Sequence, residues 1–309
     1  MVLFVNKSKV SEFGKFVYRV TEKIISREKS RNNILSVIIY GSLVDEGYVE
    51  GLSDINVCIV TENLVRDLYS LKSILVYRFW NQYKRKLSPE VFPYIVFREF
   101  YIRGIPLPVI VVKSGFPIKT DSAIIDLKRR EYRCGDLSLY YSLCRAVREL
   151  SFSISFFLKR DIAGGIRFLQ HSLVHALRSI IIAQEKRVPC TINDILNQLK
   201  KMNKDELSNL LSLVTTMKKN AFRLEKSLKR KHLSLRANNS IIVALKKTYN
   251  VISLAWRLVG INLVSYEELT NILDKIQATE IVMRCHNNNP ILEAYDKNWQ
   301  YHRIPLFTH

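Results

Sequence analysis

The stretch YGSLVDEGYVEGLSDINVCIV, residues 40–60, decides the fold that we expect for this chain. An apolar run at 34–39 leads into a turn at Gly41 and Ser42, and a second apolar run follows at 57–60. Short apolar runs that are separated by a polar, glycine-containing loop predict two strands. The turn is therefore expected at the edge of a sheet.

Polar and apolar residues alternate where the second strand begins. Asp54 and Asn56 fall on one face of that strand, whereas Ile55 and Val57 fall on the other. A turn without a side chain at Gly41 lets backbone N–H groups approach a phosphate, and a neighbouring carboxylate can hold a divalent cation that bridges phosphate oxygens. This pattern predicts a site for phosphoryl transfer.

At these residues the sequence resembles the nucleotidyltransferase superfamily, which includes polymerase beta, the aminoglycoside nucleotidyltransferases and the minimal nucleotidyltransferases of prokaryotes. The pattern of that family is Gly-Ser, a loop, and then Asp-x-Asp, often preceded by Ser. Gly41, Ser42, Ser53 and Asp54 match it, whereas Asn56 replaces the second aspartate. The resemblance implies that Gly41, Ser42 and Ser53 bind the nucleotide, and that Asp54 and Asn56 are the catalytic residues that hold Mg²⁺.

The family has a third carboxylate on a later strand, which activates the acceptor hydroxyl. We expect that strand at 91–97, where Tyr94 takes the place of the aspartate and where Glu90 and Glu99 lie just outside the run. Only Asp54 of the three carboxylates is plainly present.

Three functions stay open at this point. The favoured one is a protein of this superfamily that binds nucleic acid, most simply RNA, with a catalytic site that is partly or wholly degenerate. The first alternative is an active, metal-dependent enzyme that moves a nucleoside monophosphate from an NTP to a hydroxyl of RNA, protein or a small acceptor. The second is an antitoxin-like or scaffold protein that binds a protein partner. For the motif itself the alternative is that Gly41 and Ser42 form an ordinary turn and that Asp54 caps or hydrogen-bonds a local loop.

The length of 309 residues suggests two domains. We predict an α+β chain, with a small mixed-sheet nucleotidyltransferase-fold domain at 1–133 whose later strands are expected at 91–97 and 109–112. An all-helical bundle is expected at 134–285 because its apolar residues recur at helical spacing. In this bundle Gly164 and Gly165 are expected to separate two helices, and the last helix is expected at 265–285. An aromatic tail without periodicity follows at 286–309.

The formal net charge of +20 favours a polyanionic partner, such as RNA or a ribonucleoprotein. Residues 195–260 contain 14 basic residues against three acidic ones. We expect nucleic acid to contact the basic side chains in the middle of this segment, and the alternative is a solvated helix face that only keeps the protein soluble. The predicted contact residues are Lys218, Lys219, Arg223, Lys226, Lys229, Arg230, Lys231 and Arg236.

Several features bear on compartment and on other sites. No apolar stretch is long enough to span a bilayer, no basic helix has apolar membrane anchors, and no leader is visible, so we expect a cytoplasmic protein. The five cysteines are scattered, which does not favour disulfides or zinc. His171 and His175 lie one helical turn apart, and we interpret them as packing residues. The tail is expected to bury Trp299, although its aromatic residues would also suit stacking on unpaired bases.

Overall fold

This computed structural model describes residues 7–26, 33–45, 47–230, 239–286 and 289–308. The chain forms two compact units, one made of Met1–Gly135 with Arg187–Ile192 and the other of Asp136–Lys186 with Asn193–His309. The predicted α+β fold class is confirmed. None of the helices in the described ranges combines the length and the apolar character that a membrane span requires.

The first unit is built on a mixed four-stranded sheet with the order β3-β2-β1-β4. Strand β1 is antiparallel to β2 and β4, whereas β3 is parallel to β2 and lies at an edge. The strands are β1 (Ile34–Tyr40), β2 (Ile55–Thr61), β3 (Leu87–Pro93) and β4 (Phe116–Thr120). The helices are α1 (Lys7–Ile25), α2 (Leu68–Tyr83), α3 (Tyr94–Ile102), α4 (Pro106–Ser114) and α5 (Ser122–Arg129).

Different helices pack on the two faces of this sheet. On one face Ile55, Val57 and Ile59 of β2 are fully buried, in a core that includes the apolar sides of α1 and α2. Asn56 and Cys58 point to the opposite face, because side chains alternate along a strand. Helices α3, α4 and α5 pack on that side of the sheet. Cys58 is fully buried there, but Asn56, near the Gly41 turn, is only half-buried.

Two strand predictions in this unit were wrong. The run at 91–97 is split, because β3 ends at Pro93 and α3 begins at Tyr94, with Pro93 in an extended conformation at the helix N-cap. The run at 109–112 lies inside α4, which has Pro106 in its first turn and buries all four of these residues. Burial on the sheet outweighs the strand preference of the β-branched residues in α4.

The second unit is helical over most of its length, as predicted. Its helices are α6 (Asp136–Leu158), α7 (Ile162–Glu185), α8 (Ile192–Lys201, which begins in the other unit), α9 (Asp205–Lys219), α10 (Ala221–Arg230), α11 (Asn239–Arg257) and α12 (Tyr266–Lys275). Gly164 and Gly165, which were expected to separate two helices, lie in the first turn of α7. A Cβ on Gly165 would stand 2.3 Å from the ring of Phe157, so the glycine allows α7 to approach α6 closely.

The end of the chain corrects the all-helical prediction for 134–285 and the irregular tail at 286–309. A helix was expected at 265–285, but α12 ends at Lys275 and a three-stranded antiparallel sheet follows. That sheet has the order β6-β7-β8, and a two-stranded ladder pairs β5 with β9. The strands are β5 (Asn262–Leu263), β6 (Ala278–His286), β7 (Asn289–Asp296), β8 (Tyr301–Pro305) and β9 (Phe307–Thr308).

One face of the three-stranded sheet packs against α6. Ile281 and Met283 of β6 are buried, and the hydroxyl of Ser155 donates to the carbonyl of Ile281 at 2.9 Å. A disulfide joins Cys144 of α6 to Cys285 of β6. This bond contradicts the expectation that the cysteines stay unpaired.

Candidate functional site

The predicted turn and the predicted polar strand meet where β1 ends and β2 begins, and we name this end of the two central strands the sheet edge. Tyr40 is the register partner of Asn56, and Gly41 begins a short 3₁₀ turn that follows directly. Gly41 has a φ of +77°, and a Cβ at this position would stand 2.9 Å from the amide nitrogen of Asn56. A glycine is therefore required here both for the backbone conformation and for the close approach of Asn56.

The loop between the turn and β2 is closed by its own hydrogen bonds. The N–H groups of Val44 and Asp45 donate to the carbonyl of Gly41 at 2.8 and 3.0 Å. Ser53 is buried, and its hydroxyl accepts a hydrogen bond of 3.0 Å from the N–H of Val49. Ser53 therefore holds the loop, and this geometry does not favour its predicted contact with a nucleotide.

Asp54, the residue directly before β2, is half-buried. The short turn that begins at Gly41 packs against β2, and Asp54 is two residues before Asn56 in the chain. The Gly41 turn and Asn56 therefore lie side by side, whereas a site shared by Gly41, Ser42, Asp54 and Asn56 stays a prediction. The side chains of Ser42 and Asn56 are also only half-buried.

Sequence reasoning missed a basic residue at this edge. Arg85, in the loop before β3, forms an ion pair with Glu50 at 2.6 Å, and its guanidinium lies over the rings of Phe13 and Tyr48. Burial raises the pKa of Tyr48, Arg85 opposes this effect, and the charges of Glu50 and Asp54 add to it. The run of three basic residues at 84–86 was the only signal in the sequence.

The residue beside Asn56 on the neighbouring strand is Ser88, and not an acid. Glu90 is on the same face of β3, but it is level with Cys58, four residues beyond Asp54, which is about 13 Å along a strand. It forms an ion pair with Lys72 at 3.1 Å. The other acid considered, Glu99, lies on α3 and pairs with Arg103 at 2.6 Å.

These donors do not fit the two-metal centre that the resemblance implies. Two catalytic metal ions lie about 3.5–4 Å apart and share bridging carboxylates. Asp54 offers one carboxylate, Asn56 an amide and Ser88 a hydroxyl, while Glu90 is too distant to share a metal with Asp54. In the described part of the chain no group of three metal-binding side chains is present.

The predicted basic surface is only partly present as expected. Lys219 is exposed at the end of α9, and Arg223 and Lys226 are exposed on α10, with Asn220 between the two helices. Lys218 is an exception, because it is buried with 3% exposure and so does not belong to this surface. The side chains of Lys229 and Arg230, and the whole of Lys231 and Arg236, lie outside the described residues.

The two histidines of α7 contact charged neighbours within the second unit. His171 Nδ1 lies 3.8 Å from Glu149 of α6, a buried carboxylate that Arg148 also contacts at 3.0 Å. His175 Nδ1 lies 3.4 Å from a guanidinium nitrogen of Arg178. Burial lowers the pKa of both histidines, and at His175 the charge of Arg178 lowers it further.

The expectation that the tail buries Trp299 was wrong. The indole of Trp299 is 71% exposed, in the turn between β7 and β8. Tyr295 and Tyr301 on these two strands are also exposed.

Comparisons with known proteins give a coarse picture. The sequence matches no protein-family model, and no curated protein matches it. Among solved structures the chain is similar to a nucleotidyltransferase-like protein from Exiguobacterium sibiricum 255-15, with 11% identity and a TM-score of 0.30. That likeness covers 93% of this chain and 99% of the other. The correspondence is weak, and no residue role is carried over from it.

Proposed function

We propose that this chain binds RNA and that its sheet-edge site does not transfer nucleotides. The observation that carries the proposal is the register of β2 and β3, which places Ser88, and not an acid, beside Asn56. Asn56 and Ser88 are neutral where a two-metal site would need carboxylates, so we infer an edge that binds phosphate without the charge that catalysis requires.

Charge decides between binding and transfer at this edge. Mg²⁺ gives up its water reluctantly and is held in proteins through carboxylates together with substrate phosphates. A single carboxylate at Asp54 leaves most of the charge of two such ions uncompensated. The edge suits a phosphate oxygen, which can accept hydrogen bonds from the Asn56 amide and the Ser42 hydroxyl.

The RNA part of the proposal rests on what we name the α9–α10 surface, formed by Lys219, Arg223 and Lys226. Arg223 and Lys226 are three residues apart on one side of α10, and Lys219 is exposed at the adjoining end of α9. The net charge of +20 adds a long-range attraction for any polyanion. Release of counterions from RNA phosphates gives such binding a steep dependence on salt.

Nucleotide transfer is tested directly. The chain is incubated with labelled NTPs, Mg²⁺ or Mn²⁺ and bulk RNA, and the wild type is compared with Asp54→Ala. We expect equal, background incorporation of label by both proteins. Label transfer to RNA, to a small acceptor or to the chain itself that Asp54→Ala abolishes would replace this proposal with an active nucleotidyltransferase.

RNA binding is tested by fluorescence anisotropy with a labelled single strand at several salt concentrations. We expect the slope of log K against log[salt] to fall by about 2 when Lys219, Arg223 and Lys226 are all changed to Ala, since each phosphate contact contributes about 0.7 for a single strand. The matched control changes Lys15, Arg19 and Lys23, three exposed residues of α1 at similar spacing. Weak binding that is insensitive to salt would favour a protein partner instead.

A further inference from the structure

Three large aromatic side chains lie together and exposed at one end of the three-stranded sheet. The exposed fractions of Tyr295, Trp299 and Tyr301 are 39%, 71% and 50%. Tyr295 and Tyr301 are register partners on β7 and β8, with ring centroids 5.6 Å apart, and the Trp299 ring lies 6.2 Å from that of Tyr295. We name these three side chains the aromatic cluster.

The backbone of Trp299 is unusual for its side chain. Its φ of +60° lies in the left-handed region, which a bulky residue rarely adopts. The turn is organised by Asp296, whose Oδ1 accepts from the N–H groups of Asn298 and Gln300 at 2.7 and 2.9 Å. Trp299 N–H donates to the carbonyl of Asp296 at 3.1 Å.

The fold gives no packing reason for an indole at this position. The buried side of the sheet is formed by other residues, among them Ile281, Met283 and Leu292. Removing the Trp299 ring would therefore open no cavity in that core. A strained backbone together with an exposed apolar side chain is a combination that occurs where a ligand is bound.

We propose that the aromatic cluster stacks on unpaired bases of single-stranded RNA. The inference rests on the proposed RNA binding and adds the part of the ligand that is recognised. Each base has an apolar face that stacks on an aromatic ring, whatever its sequence, and exposed sheet aromatics provide such a surface. Duplex RNA, whose bases are already stacked, is a poorer ligand for this cluster.

The charges around the cluster are compatible with a polyanion. Lys297, in the turn between Tyr295 and Trp299, and Arg303 are both exposed, and Arg303 lies on the same face of β8 as Tyr301. The nearby carboxylate of Glu293 is engaged by Arg284 at 3.1 Å and by the hydroxyl of Tyr301 at 3.1 Å. The cations are thus placed to meet the phosphates of a strand whose bases contact the rings.

The test compares three labelled oligomers of equal length by anisotropy: oligouridine, a sugar-phosphate oligomer without bases, and duplex RNA. We expect Trp299→Leu to weaken oligouridine binding roughly tenfold, because one base stack is worth about 1–3 kcal/mol. Binding of the oligomer without bases should not change. Trp80→Leu, which removes another exposed Trp (47% exposed), is the matched control and should leave all affinities within about twofold.

A second readout follows the indole itself. Oligouridine should quench tryptophan fluorescence in the wild type, and most of that quenching should be lost in Trp299→Phe, which keeps an aromatic ring and should retain most of the affinity. Circular dichroism melting curves confirm that each variant is folded.

The outcomes separate the two proposals. If oligouridine binds and Trp299→Leu has no effect, or if the oligomer without bases is affected equally, stacking is wrong and RNA binding stands. If the wild type binds no RNA, both proposals are wrong. Binding to anionic lipid vesicles that Trp299→Leu abolishes, with RNA affinity unchanged, would assign the cluster to a membrane surface.

Discussion

The side-chain amide of Asn56 occupies the space that a side chain at residue 41 would need, since a Cβ there would stand 2.9 Å from its nitrogen. We expect Gly41→Ala to lower the free energy of unfolding by about 1–3 kcal/mol, because residue 41 must keep a positive φ while Asn56 moves away. Urea titration measures the loss. The control is Gly47→Ala in the same loop, where a Cβ would meet its nearest neighbour at 3.7 Å. Equal effects of both changes would show that the tight fit at Gly41 is unimportant.

Restoring charge at the sheet edge should restore a metal site. The double change Asn56→Asp and Ser88→Asp places two carboxylates side by side on adjacent strands, two residues along the chain from Asp54. We expect Mn²⁺ to raise the melting temperature of this variant and not that of the wild type, because a metal that binds only the folded state stabilises it. Without metal the variant should be less stable than the wild type, since like charges repel.

The same experiment has an internal control at Glu90. This carboxylate is paired with Lys72 and lies too far along the strand to share an ion with Asp54. Glu90→Gln in the double variant should therefore leave the effect of Mn²⁺ unchanged. A wild type that responds to Mn²⁺ as strongly as the double variant would contradict our interpretation of the edge.

Stability should fall in mild acid because of His175. Its pKa is lowered well below the ordinary value of 6.5, first by burial and then by Arg178 and Arg145, so the folded chain keeps the imidazole neutral. The unfolded chain binds a proton below about pH 6.5, and the free energy of unfolding therefore decreases as the pH falls from there toward the folded pKa. His171, whose pKa is also lowered, adds to this effect in the same direction.

The measurement is a series of urea midpoints between about pH 7 and pH 5, above the range in which ordinary carboxylates titrate. His175→Gln should flatten the pH dependence, since glutamine does not titrate in this range, and its side-chain oxygen can still accept from Arg178. His302→Gln is the control for the loss of an imidazole elsewhere in the same unit, where the histidine contacts the carboxylate of Asp296. An unchanged slope in His175→Gln would contradict the assignment.

Reduction of the disulfide between Cys144 and Cys285 should destabilise the second unit. The bond closes a loop with a sequence separation of 141, for which chain entropy gives at most about 5 kcal/mol, and measured values are commonly 2–4 kcal/mol. Melting curves with and without a reductant measure the effect, and Cys285→Ser should remove the dependence on the reductant. Cys134→Ser, which removes a cysteine outside this bond, is the control and should keep the dependence on the reductant. Identical curves for the oxidised and reduced wild type would show that this bond contributes nothing.

The part of the fold that local chemistry determines could be predicted from the sequence. Gly41 with its following serine, and the alternation at Asp54 and Asn56, place a turn and a strand by backbone geometry alone, and the structure pairs them as expected. Long amphipathic patterns gave α6 and α7 for the same reason. At these places the local sequence and the tertiary contacts favour the same structure.

The errors fall where tertiary contacts decide. The β-branched run at 109–112 is helical because Pro106 starts a helix that is then buried between the sheet and the neighbouring helices α3 and α5. The helix predicted through residue 285 fails after Lys275, since pairing of β6 with β7 replaces it. Periodicity could not identify Ser88 as the neighbour of Asn56, because that contact depends on where β3 begins. The exposure of Trp299 is different, because it follows from a local turn that Asp296 organises and that periodicity did not reveal.

The outer strands of the four-stranded sheet contain prolines, which hinder the addition of another strand. Strand β3 contains Pro89 and Pro93, and β4 contains Pro117, so both open sides of an apolar sheet lack some of the N–H donors that another strand would need. Prolines are tolerated in such strands and interrupt further pairing. Two copies of this unit therefore cannot easily join side by side into a continuous sheet. Replacing these prolines should favour self-association of the chain at high concentration.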